Sequence, residues 1–305
     1  MFLALSFIGT LPPYIIDCVH QIRCYFDGEV YLILNDLSSP YLSQIQKYNI
    51  ILISYSDVRS TDFDAVVQKY YNKFCIVHDL IGREELFIRS FERLFLLQNL
   101  MKLRGISHGL FLELDNLIYD DPMTWLPSFS KNELCYMYDN THRFSSGIMY
   151  VKSASSLDNL LVFFVQYIIS CVGFLDEMRA LSNFYYKFSS TGLQILPTHW
   201  TMKDNNIIPP ISCSHYGDYS DTIFDSASIG IYLLGMDPHH TNGKIVTGLR
   251  GEWSGIDYTG YKYEWKVDEN GRKKPYVFNG EKWILINNLH VHSKNLRDGL
   301  SLPII

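Results

Sequence analysis

Glu113 and Asp115 stand one residue apart in an otherwise apolar run, Phe111-Leu112-Glu113-Leu114-Asp115-Asn116-Leu117-Ile118-Tyr119. Burying two such acids unpaired is costly. At the end of an apolar strand, both can address one hard divalent cation, directly or through water. A cation held there would grip a diphosphate, neutralise charge growing on a leaving group and orient the group that carries it. The plain alternative is one inward acid and one exposed acid in a loop.

A second cluster lies far along the chain, in Asn287-Asn288-Leu289-His290-Val291-His292-Ser293-Lys294-Asn295-Leu296. In an extended segment His290 and His292 project to the same side. Either imidazole can serve as a ligand, and Lys294 can meet a phosphate as a point charge. Structural roles for both histidines are the alternative. A zinc site would need further nitrogen or sulfur ligands, and none is close in sequence. Gly147, within Arg143-Phe144-Ser145-Ser146-Gly147-Ile148, would let backbone approach a ligand closely. Asp176 and Glu177 stand at an expected helix start, where they complement the helix dipole or supply a general base toward a hydroxyl.

Positioning these groups requires a scaffold, and the first half of the chain supplies its pattern. Short apolar runs alternate with amphipathic ones, as parallel strands joined by crossover helices do. Strands are expected at Phe2 to Ile8, Glu29 to Leu34, Ile50 to Ser54, Leu110 to Leu112 and Ser145 to Val151. Helices are expected at Tyr14 to Arg23, Phe63 to Phe74, residues 84 to 104 with Gly105 as cap, Leu157 to Ser170 and Asp176 to Phe188. Ligands of an open α/β sheet sit outside the carboxyl ends of its strands. Those ends are Gly9-Thr10, Asn35-Asp36 and Glu113 to Asp115. Past residue 200 the pattern is too mixed for regular elements to be read.

Composition narrows the function. The 305 residues are 47% hydrophobic, enough for a large core, and no linker forces a division. The formal charge of −6 and the lack of a long basic run argue against nucleic acid as partner. Arg272, Lys273 and Lys274 follow Asn270-Gly271 and read as a solvated turn. The six scattered cysteines, with no C-x-x-C pair and no N-x-S/T acceptor, suit reduced thiols in a cytoplasmic setting. Met1 to Ile8 is too short for a transmembrane helix and lacks the basic flank of a signal peptide. Peripheral membrane association stays open.

The order of these motifs resembles the GT-A class of nucleotide-sugar glycosyltransferases. More narrowly, it is similar to a group of uncharacterised transferase-like proteins from bacteria and large DNA viruses. The segments that carry the likeness are Arg93-Leu94-Phe95-Leu96-Leu97, Leu112-Glu113-Leu114-Asp115, Ile229-Gly230-Ile231-Tyr232-Leu233-Leu234-Gly235-Met236-Asp237-Pro238, and Asn287 to Leu296. Two departures are Leu114 in place of a polar residue and Leu94 in place of an aromatic; the first removes a hydrogen bond that could support metal binding.

That resemblance implies a GT-A-like (Rossmann-like) α/β fold with a central mixed, mainly parallel sheet, as one domain over residues 1–305. About 1–120 would bind the nucleotide sugar, and about 121–305 would bind the acceptor and carry the C-terminal metal and phosphate segment. It implies manganese or magnesium held by Asp115 with His290 or His292. Glu113 would help bind the metal or meet the ribose. Gly9, Thr10 and Asp36 would lie near the nucleotide, Arg93 and Lys294 near the diphosphate, and Glu177, Asp176 and Asp237 on the acceptor side. The implied activity is transfer of a hexosyl or pentosyl group from a nucleotide diphosphate sugar to a glycan-, lipid- or protein-linked hydroxyl. UDP is the first choice of nucleotide, inversion of stereochemistry, Glu177 of base. Two rivals are a non-catalytic carbohydrate-binding or scaffold protein of the same fold and a nicotinamide-dependent oxidoreductase. The second is disfavoured because no G-x-G-x-x-G follows the first strand and Pro12-Pro13 stands where the phosphate-binding helix would begin.

Overall fold

The structure, a computed structural model, describes residues 1–75, 84–188, 192–200, 208–251 and 253–304. The N-terminal strands are β1 (Phe2–Phe7), β2 (Val30–Leu34), β3 (Ile50–Ser54) and β4 (Gly109–Leu112). They read as unbroken apolar runs because both faces are covered. In β1, Leu3 and Leu5 enter one core cluster while Phe2 and Ala4 enter the other. Between these strands run α1 (Ile15–Arg23), α2 (Leu42–Ile45), α3 (Tyr55–Val58), α4 (Thr61–Phe74) and α5 (Glu84–Arg104). Helix α5 buries Phe91, Leu94, Leu97, Leu100 and Met101 along one stripe. It stops at Gly105, whose φ of 63° is the left-handed conformation that a C-terminal cap requires.

The remaining elements are β5 (Asn116–Ile118), α6 (Leu126–Phe129), β6 (Leu134–Asn140), β7 (Arg143–Val151), α7 (Asp158–Ser170), α8 (Glu177–Phe188), β8 (Leu193–Leu196), α9 (Ser228–Leu234), β9 (Lys262–Val267), β10 (Lys273–Phe278), β11 (Trp283–Leu285) and β12 (Asn288–His290). Among the described residues, seven strands form the central sheet in the order β3-β2-β1-β4-β7-β6-β8. All are parallel except β7, which runs antiparallel to both β4 and β6. The fold class expected from sequence, a mixed and mainly parallel sheet flanked by helices, is the one observed. The five expected strands appear as β1, β2, β3, β4 and β7, with ends shifted by at most two residues. The carboxyl ends of β1, β2, β3, β4 and β6 therefore share one edge, so Gly9, Asp36, Glu113 and Asp139 follow or end strands on the same side of the sheet.

The sequence did not reveal β6, β8 or the C-terminal strands. Strands β9, β10 and β11 form a separate antiparallel sheet. Strand β12 pairs with β5 in antiparallel register, Leu289 opposite Leu117 and His290 opposite Asn116. This short ribbon carries the C-terminal histidine segment back to the end of β4.

Asn288 fixes the ribbon from within. Its side chain is fully buried, donating to Asn116 Oδ1 at 2.8 Å and to the Asp225 carbonyl at 2.9 Å, and accepting from Asp225 N–H at 3.0 Å. Asn288→Ala leaves those groups unpaired and should cost about 2–4 kcal/mol. Urea unfolding would measure the loss, and a change under 0.5 kcal/mol, the range of ordinary surface substitutions, would show that the ribbon is held by other contacts.

Candidate active site

Strand β4 ends at Leu112, and residues 113–115 make the turn into β5. The turn is tied across the sheet, since Glu113 N–H donates to the Gly147 carbonyl at 3.0 Å. Leu114 drops into the hydrophobic core. With the intervening side chain buried, both carboxylates are turned to the other side, where they meet one imidazole. His290 Nε2 lies 3.3 Å from Asp115 Oδ2 and 3.4 Å from Glu113 Oε2. Suitable ligand atoms of Glu113, Asp115 and His290 all lie within 4.8 Å of one another.

The imidazole is held from behind. His290 Nδ1 is 3.3 Å from the Ser226 carbonyl, and His290 N–H donates to Asp225 Oδ2 at 3.1 Å. The same buried Asp225 accepts from the backbone N–H groups of Ala227, Ile229 and Gly230, the last two in the first turn of α9. Gly230 packs so closely that a Cβ would clash with the His290 carbonyl oxygen. If Nδ1 donates its proton to Ser226, Nε2 turns a lone pair toward two carboxylate oxygens. Either a second proton or a cation must stand between them.

Two side-chain cations balance the acids. Lys294, in the left-handed region at φ 60°, pairs with Asp115. Burial raises the pKa of the Asp115 carboxyl, but the charges of Lys294 and His290 outweigh it and hold it well below the usual carboxylate range. Arg93 of α5 pairs with Glu113, donates to Ser146 Oγ at 2.9 Å and reaches Glu177 Oε2 at 3.2 Å. Its guanidinium also lies over the Phe111 ring, 5.6 Å from the centroid. Glu177, the first residue of α8, accepts from Ser146 Oγ at 2.5 Å and is almost wholly buried. Burial raises its pKa, against the pull of Arg93 and Ser146.

The other expected residues fall around this centre. Gly9 N–H donates to Asn35 Oδ1 at 2.8 Å, clipping the ends of β1 and β2 together, and Thr10 follows it, exposed. Asp36 is partly exposed and accepts from Ser38 Oγ and N–H, bonds that hold its carboxyl below the ordinary value. Asp176 caps α8 by accepting from Met178 N–H at 2.9 Å and lies 3.4 Å from Arg143 Nε. Asp237 accepts from His239 N–H, and its charge acts on Lys294 and His292. His292 lies just beyond β12, its ring centroid 5.3 Å from that of His290. It is outside the Glu113, Asp115 and His290 group, and burial beside His290 and Lys294 pulls its pKa down to about 3.

Three residues at the site were not visible from sequence. Tyr14 immediately precedes α1, and burial together with the Asp115 charge pushes its phenol up to about 12. Asp225 sits in the region where no regular element was read. Asp139 lies on β6 at the carboxyl edge, buried, 3.9 Å from Arg143 Nη1. Burial raises it to about 7, Arg143 only partly offsetting that, while Asp225 and Asp176 add to the rise. The signal that could have found Asp139 is the pattern of β2, an apolar run that ends in a polar pair, here Asp139-Asn140.

Two observations test whether these residues fit a divalent ion. The donor set is two carboxylates and one imidazole, which suits manganese or magnesium better than a thiolate-seeking metal. A Cβ placed on Gly147 would meet Glu113 Oε2 at 3.0 Å and His290 Nδ1 at 3.3 Å, so the close approach of this carboxylate and imidazole requires glycine there. The residues fit.

No family model and no curated protein matches the chain. Among solved structures, mouse xyloside xylosyltransferase 1 aligns at 9% identity and a TM-score of 0.43, over 65% of this chain and 86% of its own. An active-site mutant of LgtC aligns at 11% and 0.42, over 74% and 85%. The PaToxG glycosyltransferase aligns at 12% and 0.38, over 62% and 70%. At these values the likeness carries no functional argument, and the reading rests on the site.

Two outcomes follow from this geometry. Asp115→Asn and His290→Ala should each weaken manganese binding at least about tenfold by calorimetry, while His292→Ala should change it far less. Unchanged affinity in the first two would dissolve the metal assignment. For Asp139, the folded pKa exceeds the unfolded value of about 3.9, so its ionisation opposes folding. Asp139→Asn should therefore gain stability over the parent as pH rises from about 4 to about 7 and gain no more above that. A pH-independent difference in unfolding free energy would contradict a buried, titrating Asp139.

Proposed function

We propose that the chain is a metal-dependent glycosyltransferase that moves a sugar from a nucleotide diphosphate donor, UDP-linked in the first instance, to an acceptor hydroxyl. The observation that carries this reading is the convergence of Glu113, Asp115 and His290 at the carboxyl end of β4. A divalent ion held by these three would neutralise charge on the departing diphosphate. All 305 residues act in this reading as one domain, with about 1–120 as the donor half and the remainder supplying His290, Lys294 and the acceptor side. Gly9, Thr10 and Asp36 then line the nucleotide at the carboxyl ends of β1 and β2. Lys294 and Arg93 supply positive charge on the two flanks of the diphosphate position. The setting is the cytoplasm, where the six free cysteines would stay reduced.

In this reading two carboxyls are candidates to receive the acceptor proton if the reaction inverts stereochemistry. Glu177 is one, although both its oxygens are already engaged, one by Ser146 and the other by Arg93. Asp139 is the other, with a pKa near the operating range that general-base catalysis favours. Asp176 and Asp237 are bound in caps, which suits positioning more than proton transfer.

A thermal-shift screen of UDP-, GDP- and CMP-sugars with and without manganese tests the reading. A donor at about 100 times its dissociation constant adds roughly 2.7 kcal/mol of stability. One donor should raise the melting temperature only when manganese is present, and the same pair should release free nucleotide on turnover. Folded protein that responds to no donor would leave the non-catalytic carbohydrate-binding alternative standing. With a donor in hand, loss of turnover in Asp139→Asn with retention in Glu177→Gln would assign the base to Asp139, and the reverse result to Glu177. Retention in both would favour a retaining reaction.

A further inference from the structure

Four of the exposed large hydrophobic side chains lie on or beside α7 and α8. Val162 and Ile169 on α7, Val172 just beyond it and Tyr186 on α8 are all exposed, and Val172 is 95% so, the highest among the large hydrophobics described. The two helices pack through Phe163, whose ring meets Phe184 at 5.5 Å and Phe188 at 6.1 Å. Between them runs a groove of about 560 Å³ edged by Tyr167, Tyr186 and Lys187. The outer face of a helix on a globular protein is normally polar. Here residues 159–175 hold no charged side chain at all.

The charged side chains beside Ile169 and Val172 are basic, whereas Asp158 is exposed at the other end of α7, one turn before Val162. Helix α4 packs on α7, and residues 65–75 contain Lys69 and Lys73 but no acid. Lys73 Nζ donates to the carbonyls of Ile168 and Ile169 at 3.0 and 2.5 Å, which places it at the exposed end of α7. Residues 178–188 contain Arg179 and Lys187 and again no acid. Arg179 lies over the Phe174 ring and Lys187 over Phe163. The two acids that separate residues 159–175 from residues 178–188, Asp176 and Glu177, are buried in the candidate site. In a chain of net charge −6, the exposed Ile169 and Val172 thus stand among lysine and arginine side chains.

We infer that this face docks on an anionic membrane surface, with Val172 and Ile169 entering the headgroup boundary and the basic side chains meeting lipid phosphates. A bilayer surface offers both complements at once, an apolar layer beneath a sheet of negative charge. The docking loop, residues 171–176, runs directly into Glu177. Resting on the proposed transfer reaction, the inference extends to the acceptor: it is a hydroxyl carried by a membrane lipid, delivered from the bilayer to the α8 side of the site.

Flotation with phosphatidylcholine vesicles, with and without phosphatidylglycerol, tests the docking apart from any activity. The protein should float with the anionic vesicles only and be released by high salt. Val172→Asp with Ile169→Asp should weaken binding at least about tenfold, and Lys69→Glu with Lys187→Glu should weaken it without changing the melting temperature. Folded protein that stays off anionic vesicles, or variants that bind as the parent does, would overturn the inference. So would a dimer, seen by sedimentation equilibrium, that the Val172→Asp and Ile169→Asp variant dissolves, since the face would then belong to a second copy. If vesicles bind but no donor is turned over, the docking stands and the transfer reading falls. If soluble and vesicle-borne acceptors react equally well, the acceptor assignment falls and the docking stands.

Discussion

The site depends on a three-residue antiparallel pairing. Residues 115 and 290 are far apart in the chain, and they become neighbours because β12 lies against β5 in one register. A slip of one residue would turn every side chain of the ribbon to its other face. His290 would then leave Asp115, and Leu289 would leave the core. Register is set here by burial on one side, through Leu117 and Leu289, and by the Asn116–Asn288 hydrogen bond. Asp225 reinforces it by gathering the backbone N–H groups of His290 and of the first turn of α9 around a single carboxylate.

Electrostatics explains why so much charge is tolerated in this small volume. Glu113, Asp115 and Glu177 would repel one another if left without counter-charges. Arg93 joins Glu113 to Glu177, and Lys294 answers Asp115. The result is a ring of carboxylates with a cation at each flank and an imidazole at the centre. A metal and a diphosphate could enter together without a large change of net charge, two positive charges arriving with two or three negative ones. Arg93 and Lys294 would then have a choice of partners, their present carboxylates or the incoming phosphates, which makes them natural points of adjustment on binding.

How much of this was legible follows from how local each feature is. Strands β1 to β4 announce themselves because both their faces are buried and their apolar runs are uninterrupted. Helix α5 does so through a long stripe and a glycine cap. The Glu113 and Asp115 pair was legible as a strand-end motif for the same reason. By contrast β6 was missed although Leu134 to Tyr138 is as apolar as β2, because its partners β7 and β8 are set by tertiary pairing. Strands β9 to β11 alternate in a shallow, half-exposed sheet, and their burial pattern is weak. Asp225 could not be read at all: its role exists only once α9 and β12 have been brought together. Likewise, the spacing that gave His290 and His292 a common side could not tell which of them the β5 pairing would present to Asp115.

Leu114 shows how a residue that weakens a motif on paper can serve it in the fold. A polar side chain between Glu113 and Asp115 would offer an extra hydrogen bond, and the sequence comparison counts its absence as a loss. In the structure that position points into the core, where a polar group without a partner would be costly. Burying Leu114 anchors the turn between β4 and β5, and with that side chain turned inward both carboxylates face His290. Support for the acids comes instead from Arg93, Lys294 and the backbone tie to Gly147. The stiffness that a metal site requires is thus supplied by packing beneath the turn and by ion pairs at its sides.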